Sequence, residues 1–361
     1  MKNFYIVLLL VSLCSYAQPP AGYYDDANGL SGYALKNALE TIIDADDDSN
    51  GQPFHDITVT YSDLWTLYET SDVRGDGKVW EMYSDCDFTF VVDQDTGTGG
   101  STECDKFNRE HSFPRSWFGD DSGHPIFNDP FHVIPSDKKV NAERGNLAFG
   151  EVASATYTSL NGSQIGSSSI AGPTGNVFEP ADEFKGDLAR GIFYIAVRYQ
   201  DDIASWEAND TDGDSMLDGS SNKVFEQWAL EMLYNWHIND PVSAKETQRN
   251  EAIFAHQDNR NPFIDNPQYV EDIWQEALSI SEFIAPIQIS LYPNPVSGNT
   301  LFVNTTTNLE VEFYDVLGKQ IYATTVGPNT NDINVSSFTS GVYILKLRSD
   351  QGTITKKFIK Q

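Results

Sequence analysis

Basic residues are scarce in this sequence. Of its 361 residues, 23 are Lys or Arg and 53 are Asp or Glu, which gives a formal net charge of -30. Proteins that bind nucleic acid usually present a basic field to the phosphate backbone. Taken alone, the composition therefore argues against that class. The excess of acid favours solubility and weakens long-range attraction to polyanions.

The sequence also lacks an apolar run with enough residues to span a membrane. The run Phe4 to Leu13 follows a lysine and precedes a small-x-small pattern that ends at Ala17. A run of this length cannot cross a bilayer, but it has the layout of a secretion signal. We therefore expect residues 1–17 to be a signal peptide. Lipidation at Cys14 is the less favoured alternative, because the residue before it is large for a lipoprotein signal.

Cysteine is rare, and without the signal peptide only Cys86 and Cys104 remain. They flank a Gly- and Thr-rich stretch of a chain that we expect to be exported, which favours one disulfide between them. Closing a loop of this size would stabilise the fold by roughly 3 kcal/mol in the chain-entropy treatment. Two free thiols are the alternative.

Hydrophobic periodicity predicts strands early in the chain and helices later. Strands are expected at residues 78–83 and 88–92, and extended segments between residues 154 and 175. Helices are expected at residues 32–45 with Ser31 as N-cap, from Ser62, at 182–200, at 222–237, after the capping box Ser243-x-x-Glu246, and at 267–277. This order indicates an α+β domain spanning residues 18–283.

The composition changes again at Ile287. Alternating patterns at Val311–Tyr314 and Gly341–Leu347, followed by a basic tail, predict a small all-β sandwich over residues 287–361. The segments L-Y-P-N-P and G-V-Y-I-L-K-L resemble those of the C-terminal sorting domain of proteins exported by the type IX secretion machinery of Bacteroidetes. The resemblance implies that machinery as a partner and a location outside the cell or on its outer surface. An ordinary carbohydrate- or protein-binding sandwich is the alternative.

The stretch 105–149 departs from the acidic average, with six basic residues against seven acidic ones. Glu110 offers a carboxylate and Asn141 an amide oxygen, and both suit Mg²⁺ or Ca²⁺. A neutral imidazole at His111 can take a proton from water near pH 7. Neighbouring residues of a regular strand point to opposite faces, so Glu110 and His111 share a site only if the strand ends or bulges there.

A helix capped by Ser136 would follow this pair. It would place Asp137, Asn141 and Arg144 on one face, since they are spaced by four and three residues. Arg144 could then bind a phosphate oxygen through its planar fork. The alternative is a surface ion pair with Glu143 or Asp137. Arg115 is a second, weaker candidate for phosphate binding.

Two runs within this stretch closely resemble the endonuclease I family of secreted bacterial nucleases, which carries its site on a ββα-metal motif. They are R-E-H-S-F-P-R-S-W and D-K-K-V-N-A-E-R-G-N-L-A-F-G. The resemblance implies that Glu110 and Asn141 hold one Mg²⁺, Ca²⁺ or Mn²⁺ ion and that His111 is the general base. It implies a secreted endonuclease that cleaves DNA, and RNA as a further substrate, with little sequence preference. The chain departs from the family in having Phe131 where a His is common, which leaves the role of His132 open.

An acidic run later in the chain supports a rival interpretation. Asp210, Asp212, Asp214 and Asp218 have the opening spacing of a calcium loop, although the sixth place lacks Gly and the twelfth lacks Glu. A structural Ca²⁺ there would favour a non-catalytic calcium-binding extracellular protein. Another metal-dependent phosphoesterase is the second rival.

Overall fold

A computed structural model describes residues 18–44, 60–173, 175–280, 290–305, 308–315, 319–328, 330–349 and 352–361. The expected signal peptide lies outside these residues. The chain divides into two compact units, Met1–Glu276 and Ala277–Gln361, while the limits 18–283 and 287–361 stay predictions. Within the described ranges, no helix combines the length and apolarity needed to cross a bilayer.

The first unit combines helices with short antiparallel sheets, as an α+β fold requires. Its helices are α1 Gly32–Ile43, α2 Leu64–Ser71, α3 Lys138–Arg144, α4 Lys185–Arg198, α5 Gln200–Ile203, α6 Thr211–Met216, α7 Gln227–Asn239, α8 Ala244–Gln257, α9 Pro262–Asp265 and α10 Tyr269–Ile280. Its strands are β1 Phe107–His111, β2 Val133–Asp137, β3 Val152–Thr158, β4 Gln164–Ser168 and β5 Asn176–Glu179. The helices predicted from periodicity are all present, with ends displaced by a few residues.

Helix α4 forms the centre of this unit and is buried on nearly every side. It packs against α1, α7 and α9. Because this helix has almost no solvent-exposed face, its two arginines meet buried carboxylates. Arg190 pairs with Glu246 at 2.5 Å and Arg198 pairs with Asp129 at 2.5 Å.

The capping box at the start of α8 is confirmed. The Ser243 hydroxyl accepts from the Glu246 backbone N–H at 3.1 Å, and the Glu246 carboxylate accepts from the Ser243 backbone N–H at 2.8 Å. Ser31 does stand at the N-cap position of α1, but its side chain makes no capping bond.

Strands β1 and β2 pair antiparallel, with Phe107 opposite Asp137 and His111 opposite Val133. Helix α3 begins at the next residue, so two strands and a helix form one local unit. The expected cap Ser136 is wrong. Asp137 is the N-cap, because its Oδ1 accepts from the backbone N–H groups of Lys139 and Val140 at 2.7 and 3.1 Å.

The strands expected at residues 78–83 and 88–92 do not form. Val79 makes only an isolated bridge with Val73. The Glu81 carboxylate turns the chain by accepting from the backbone N–H groups of Tyr83 and Ser84 at 2.8 and 3.0 Å. Val91 has a φ of +67°, which no strand contains. Local side-chain bonds therefore replace the ladder that the composition predicted.

The predicted disulfide between Cys86 and Cys104 is confirmed, with a Cα–Cα distance of 5.2 Å. The extended segments expected after residue 154 are also present. They form a three-stranded antiparallel sheet in the order β3-β4-β5.

The described residues of the second unit form two antiparallel sheets, ordered β10-β7-β6 and β12-β11-β8-β9. Its strands are β6 Ser290–Tyr292, β7 Thr300–Asn304, β8 Leu309–Tyr314, β9 Gln320–Val326, β10 Asp332–Asn334, β11 Gly341–Ser349 and β12 Gly352–Lys360. In β8, Leu309, Val311 and Phe313 are buried and alternate with more exposed residues. This period of two gives an apolar core, and it confirms the all-β prediction.

Candidate active site

A polar cleft of about 400 Å³ opens where β1 ends beside α3. It is lined by Tyr61, Asn108, Arg109, Glu110, His111, Pro114, Arg115, Ser116, Asn141, Gly145 and Asn146. Glu110 and His111 both face it although they are adjacent in the chain. This is the arrangement expected if the strand ends at this point, and β1 does end at His111.

Glu110 is buried, and its position is fixed by two donors. Its Oε1 accepts from Arg144 Nη1 at 2.6 Å and from the Tyr83 hydroxyl at 3.2 Å. Burial raises the pKa of Glu110, and the Arg144 guanidinium opposes that rise. Both hydrogen bonds fall on Oε1, so Oε2 carries neither of them.

Arg144 is fully buried and does not lie on the surface of α3. Besides Glu110, its guanidinium donates to the backbone carbonyls of His111 at 2.9 Å and Ser112 at 2.8 Å. The expected phosphate contact does not fit this position, since the side chain has no exposed surface. The alternative surface pair is wrong as well, because Glu143 pairs with Lys139.

Asn141 faces the cleft from α3 and is half-buried. Its Nδ2 donates to Asn108 Oδ1 at 2.9 Å. This bond leaves the amide oxygen of Asn141 as its group for a cation. The helix ends at Gly145, whose φ of +57° favours glycine, and Gly145 also lines the cleft.

The pair Glu110 and Asn141 fits a hard cation. Both offer oxygen, and Mg²⁺ commonly takes one or two protein ligands while keeping water and substrate phosphate for the rest. Among the described residues, no group of three His, Cys, Asp or Glu side chains is placed to hold a metal. A closed, protein-only metal cage is therefore not what these residues offer.

His111 is held in one tautomer by its surroundings. Its Nε2 lies 3.0 Å from the Phe127 carbonyl oxygen, which can only accept, so Nε2 carries the proton and Nδ1 the lone pair. The Tyr61 ring stacks on the imidazole with centroids 5.5 Å apart. Burial lowers the pKa of His111 well below its usual value, and nearby His132 adds to this. The ring is therefore a neutral acceptor at neutral pH.

His132 lies behind this site rather than in it. Its Nε2 is 2.6 Å from the Ile126 carbonyl oxygen, and its ring centroid is 5.5 Å from that of His111. Burial lowers the pKa of His132 to about 4. Its Nδ1 is buried and has no hydrogen-bond partner in the part of the chain that is described.

Other polar side chains also line the cleft. Arg115 pairs with Asp120 at 2.6 Å and lies over the Phe127 ring. Asn146 donates to Asp210 at 2.6 Å. Arg109, the first residue of the R-E-H-S-F-P-R-S-W run, was assigned no role from the sequence, and its guanidinium lies over the Tyr61 ring.

No sequence pattern pointed to Tyr61, since it lies far upstream of the motif. The signal for Arg109 was its place next to Glu110 in the same strand.

The calcium loop was the less favoured interpretation of this acidic run, and among the described residues no group of three carboxylates is placed to hold an ion there. Residues Thr211–Met216 are helix α6, with Asp210 as the N-cap that accepts from the Asp212 backbone N–H at 2.9 Å. Asp218 lies beyond the helix and pairs with Lys223 at 3.2 Å. Asp210 therefore serves as a helix cap and Asp218 as an ion-pair partner.

Comparison with known proteins gives matches over both units. Residues 31–268 match the family described as Endonuclease I, and residues 290–361 match the secretion system C-terminal sorting domain. An extracellular ribonuclease of Bacillus amyloliquefaciens is 36% identical over 259 residues, which cover 70% of this chain and 78% of the relative. An extracellular ribonuclease of Bacillus subtilis (strain 168) is 34% identical over 275 residues, covering 73% and 83%.

Proposed function

The chain belongs to the endonuclease I family, and from this premise we propose that it is a metal-dependent endonuclease that cleaves RNA and DNA with little sequence preference. Family membership makes it a nuclease, and the C-terminal sorting domain makes it a secreted protein. One observation carries the finer proposal. Glu110, Asn141 and His111 all line one cleft, and the bond to the Phe127 carbonyl places the His111 proton on Nε2.

The substrate proposal rests on the relatives and on the cleft. Both relatives named above are extracellular ribonucleases, which supports RNA. The cleft offers groups suited to the phosphodiester backbone, a chemistry that RNA and DNA share. The acidic remainder of the chain weakens long-range attraction to either polymer, so we expect modest affinity outside the cleft.

His111 is proposed as the general base. Its Nε2–H bond to the Phe127 carbonyl and the stacked Tyr61 ring fix the imidazole, so that Nδ1 takes a proton from an attacking water. The lowered pKa keeps that nitrogen unprotonated at neutral pH. Because Nε2 already carries a proton, the ring becomes cationic during the step. The carbonyl oxygen at Nε2 stabilises that cation.

Glu110 and Asn141 are proposed to hold one divalent cation, with Mg²⁺ as the first choice. When bound, such a cation supplies Lewis-acid stabilisation of the charge that develops on the phosphate oxygens. Arg144 is a positioning residue in this proposal, since its three hydrogen bonds fix Glu110 and the backbone at the end of β1.

The ββα order of β1, β2 and α3 supports the assignment of the ββα-metal motif. Residues 1–17 are proposed as the signal peptide that begins export, and residues 287–361 as the module recognised by the type IX machinery. The sorting-domain match over residues 290–361 supports the second assignment.

The test is cleavage of closed-circular plasmid and of a structured RNA by the secreted protein. We expect both to be cut with Mg²⁺ and neither in chelator. His111→Ala should lower the rate by about 10²- to 10⁴-fold. His124→Ala is the matched control, since that imidazole pairs with Asp202 outside the cleft, and it should cut like the wild type.

Folded wild type that leaves both polymers intact in Mg²⁺, Mn²⁺ and Ca²⁺ would refute the proposal. Release of free phosphate from p-nitrophenyl phosphate without polymer cleavage would favour the rival phosphoesterase.

A further inference from the structure

The cations near the cleft differ in how their charge is used. Arg144 is enclosed by Glu110 and two backbone carbonyls. Arg115 pairs with Asp120 on the surface. Arg109 lines the same cleft but has no carboxylate within ion-pair distance among the described residues. In a chain of net charge -30, such an arginine is unusual.

Arg109 is held by contacts that leave its charge unneutralised. One terminal nitrogen, Nη1, donates to the Tyr61 backbone carbonyl. The flat guanidinium lies 3.5 Å from the Tyr61 ring centroid and 4.5 Å from the Trp65 ring centroid. Contacts to the faces of aromatic rings fix the plane of a guanidinium without occupying its N–H edge. Within the part of the chain described, the further hydrogen bond of Arg109 is to the Tyr61 side chain, and no carboxylate pairs with it.

A pre-oriented guanidinium edge of this kind is suited to a phosphate. Arginine binds phosphate through two parallel N–H donors, and a side chain whose rotamers are already fixed loses little entropy on binding. The Tyr61 ring lies against both Arg109 and His111. Arg109 is therefore set apart from the group that activates water, although it lies in the same cleft.

We propose that Arg109, whose guanidinium lies against the rings of Tyr61 and Trp65, binds a phosphate next to the one being cleaved. This site rests on the proposed nuclease function and extends it. It implies that the enzyme prefers substrates with more than one phosphate and that a bare dinucleotide is a poor substrate. It also assigns to Arg109 the phosphate-binding role for which Arg144 and Arg115 were the expected candidates.

Minimal substrates with and without a flanking phosphate test this directly. The secreted protein is assayed in Mg²⁺ with a dinucleotide that has one internal phosphodiester, and with the same dinucleotide carrying a 5′- or a 3′-terminal phosphate. In the wild type, we expect one terminal phosphate to raise kcat/KM by about tenfold, the usual scale of a charge-assisted hydrogen bond. In Arg109→Gln, the ratio between these two substrates should fall to near one.

Two variants serve as controls for charge and position. Arg74→Gln removes one positive charge from an arginine that pairs with Asp76 and Asp87 outside the cleft, and it should keep the wild-type ratio. Arg109→Lys keeps the charge but lacks the planar fork, so its ratio should be intermediate. It also provides the test if Arg109→Gln does not fold, which thermal unfolding would reveal.

The outcomes separate this site from the function on which it rests. An unchanged ratio in Arg109→Gln, or a ratio that collapses in Arg115→Gln instead, overturns the assignment while leaving the nuclease intact. No gain from either terminal phosphate in the wild type overturns it as well. Failure of the wild type to cut RNA, plasmid and dinucleotides alike refutes the nuclease proposal itself.

Discussion

The two units of this chain fill their interiors differently. The second unit buries an apolar cluster that includes Val311, Phe313 and Leu345. The first unit also buries arginines, and each meets a carboxylate. These pairs are Arg144–Glu110, Arg190–Glu246, Arg198–Asp129, Arg249–Asp72 and Arg260–Asp265.

Buried ion pairs add little net stability because both charges lose their hydration, yet removing one partner is costly. What such pairs can supply is orientation. In the first unit, one of them ends at the cleft, where it holds Glu110. Among the described residues of the second unit, no arginine is buried against a carboxylate, and the interior is filled by apolar side chains.

Breaking the pair at the cleft should have the largest effect. Arg144→Met leaves the Glu110 carboxylate buried without its cation, so we expect the first unit to lose about 3–5 kcal/mol of its free energy of unfolding. Nuclease activity should fall with it, since Glu110 would no longer be fixed. Denaturant unfolding followed by tryptophan fluorescence measures the first effect.

The double variant Glu110→Gln/Arg144→Met provides the control. Because it removes both charges, it should regain part of the stability but none of the activity. A cost below about 1 kcal/mol for Arg144→Met alone would contradict the comparison between the two interiors.

The corresponding change in the second unit is Leu345→Ala. This fully buried leucine lies in an apolar core, so the cavity should cost that unit about 2–5 kcal/mol. The first unit should keep its unfolding transition and its nuclease rate. Loss of nuclease rate in this variant would show that the second unit supports the cleft, which we do not expect.

The pH dependence of stability should also distinguish the units, because residues 277–361 contain no histidine. His132 has a pKa of about 4 in the fold and about 6.5 when unfolded, so the unfolded state binds the proton first as pH falls. Its contribution is complete above pH 6.5 and is lost toward pH 4. The stability gap between wild type and His132→Gln should therefore shrink by roughly 3 kcal/mol from pH 7 to pH 4.

Denaturant melts of both proteins across this pH range give that gap directly. A gap that stays constant would mean that His132 is not held neutral by burial. The transition of the second unit should be the same in wild type and variant at each pH.

The smallest effect is expected from the acidic run in the first unit. Asp212→Asn/Asp214→Asn should change stability by no more than about 0.5 kcal/mol, since α6 is capped by Asp210 and not by these residues. Added Ca²⁺ should shift the melting temperature of wild type and variant equally. A calcium-dependent stabilisation that the variant loses would restore the calcium-loop interpretation.

Much of the site could be predicted because its chemistry is local in sequence. Glu110 and His111 are adjacent, and Asn141 lies on the helix that follows the partner strand. All three residues lie within the stretch 105–149. The disulfide could also be predicted, since an exported chain with only two cysteines allows one pairing.

The other features of the site and the fold depend on tertiary contacts, which a sequence pattern does not show. Periodicity put Arg144 on one face of α3, but it could not show that this face is turned inward toward Glu110. Strand propensity at residues 78–83 was overridden by Glu81, whose carboxylate accepts from nearby backbone N–H groups. Tyr61 reaches the cleft only through tertiary packing.

We expect the disulfide to make nuclease activity depend on the redox state of Cys86 and Cys104. The Cys104 backbone N–H donates to Asp137 Oδ2 at 2.7 Å, and the same carboxylate caps the helix that carries Asn141. In a reducing cytoplasm the two thiols stay separate, and we expect this brace to be weaker there. We therefore expect the cleft to form fully only after the thiols are oxidised. We expect a newly made chain to have low nuclease activity inside the cell that makes it, and to reach full activity only after export.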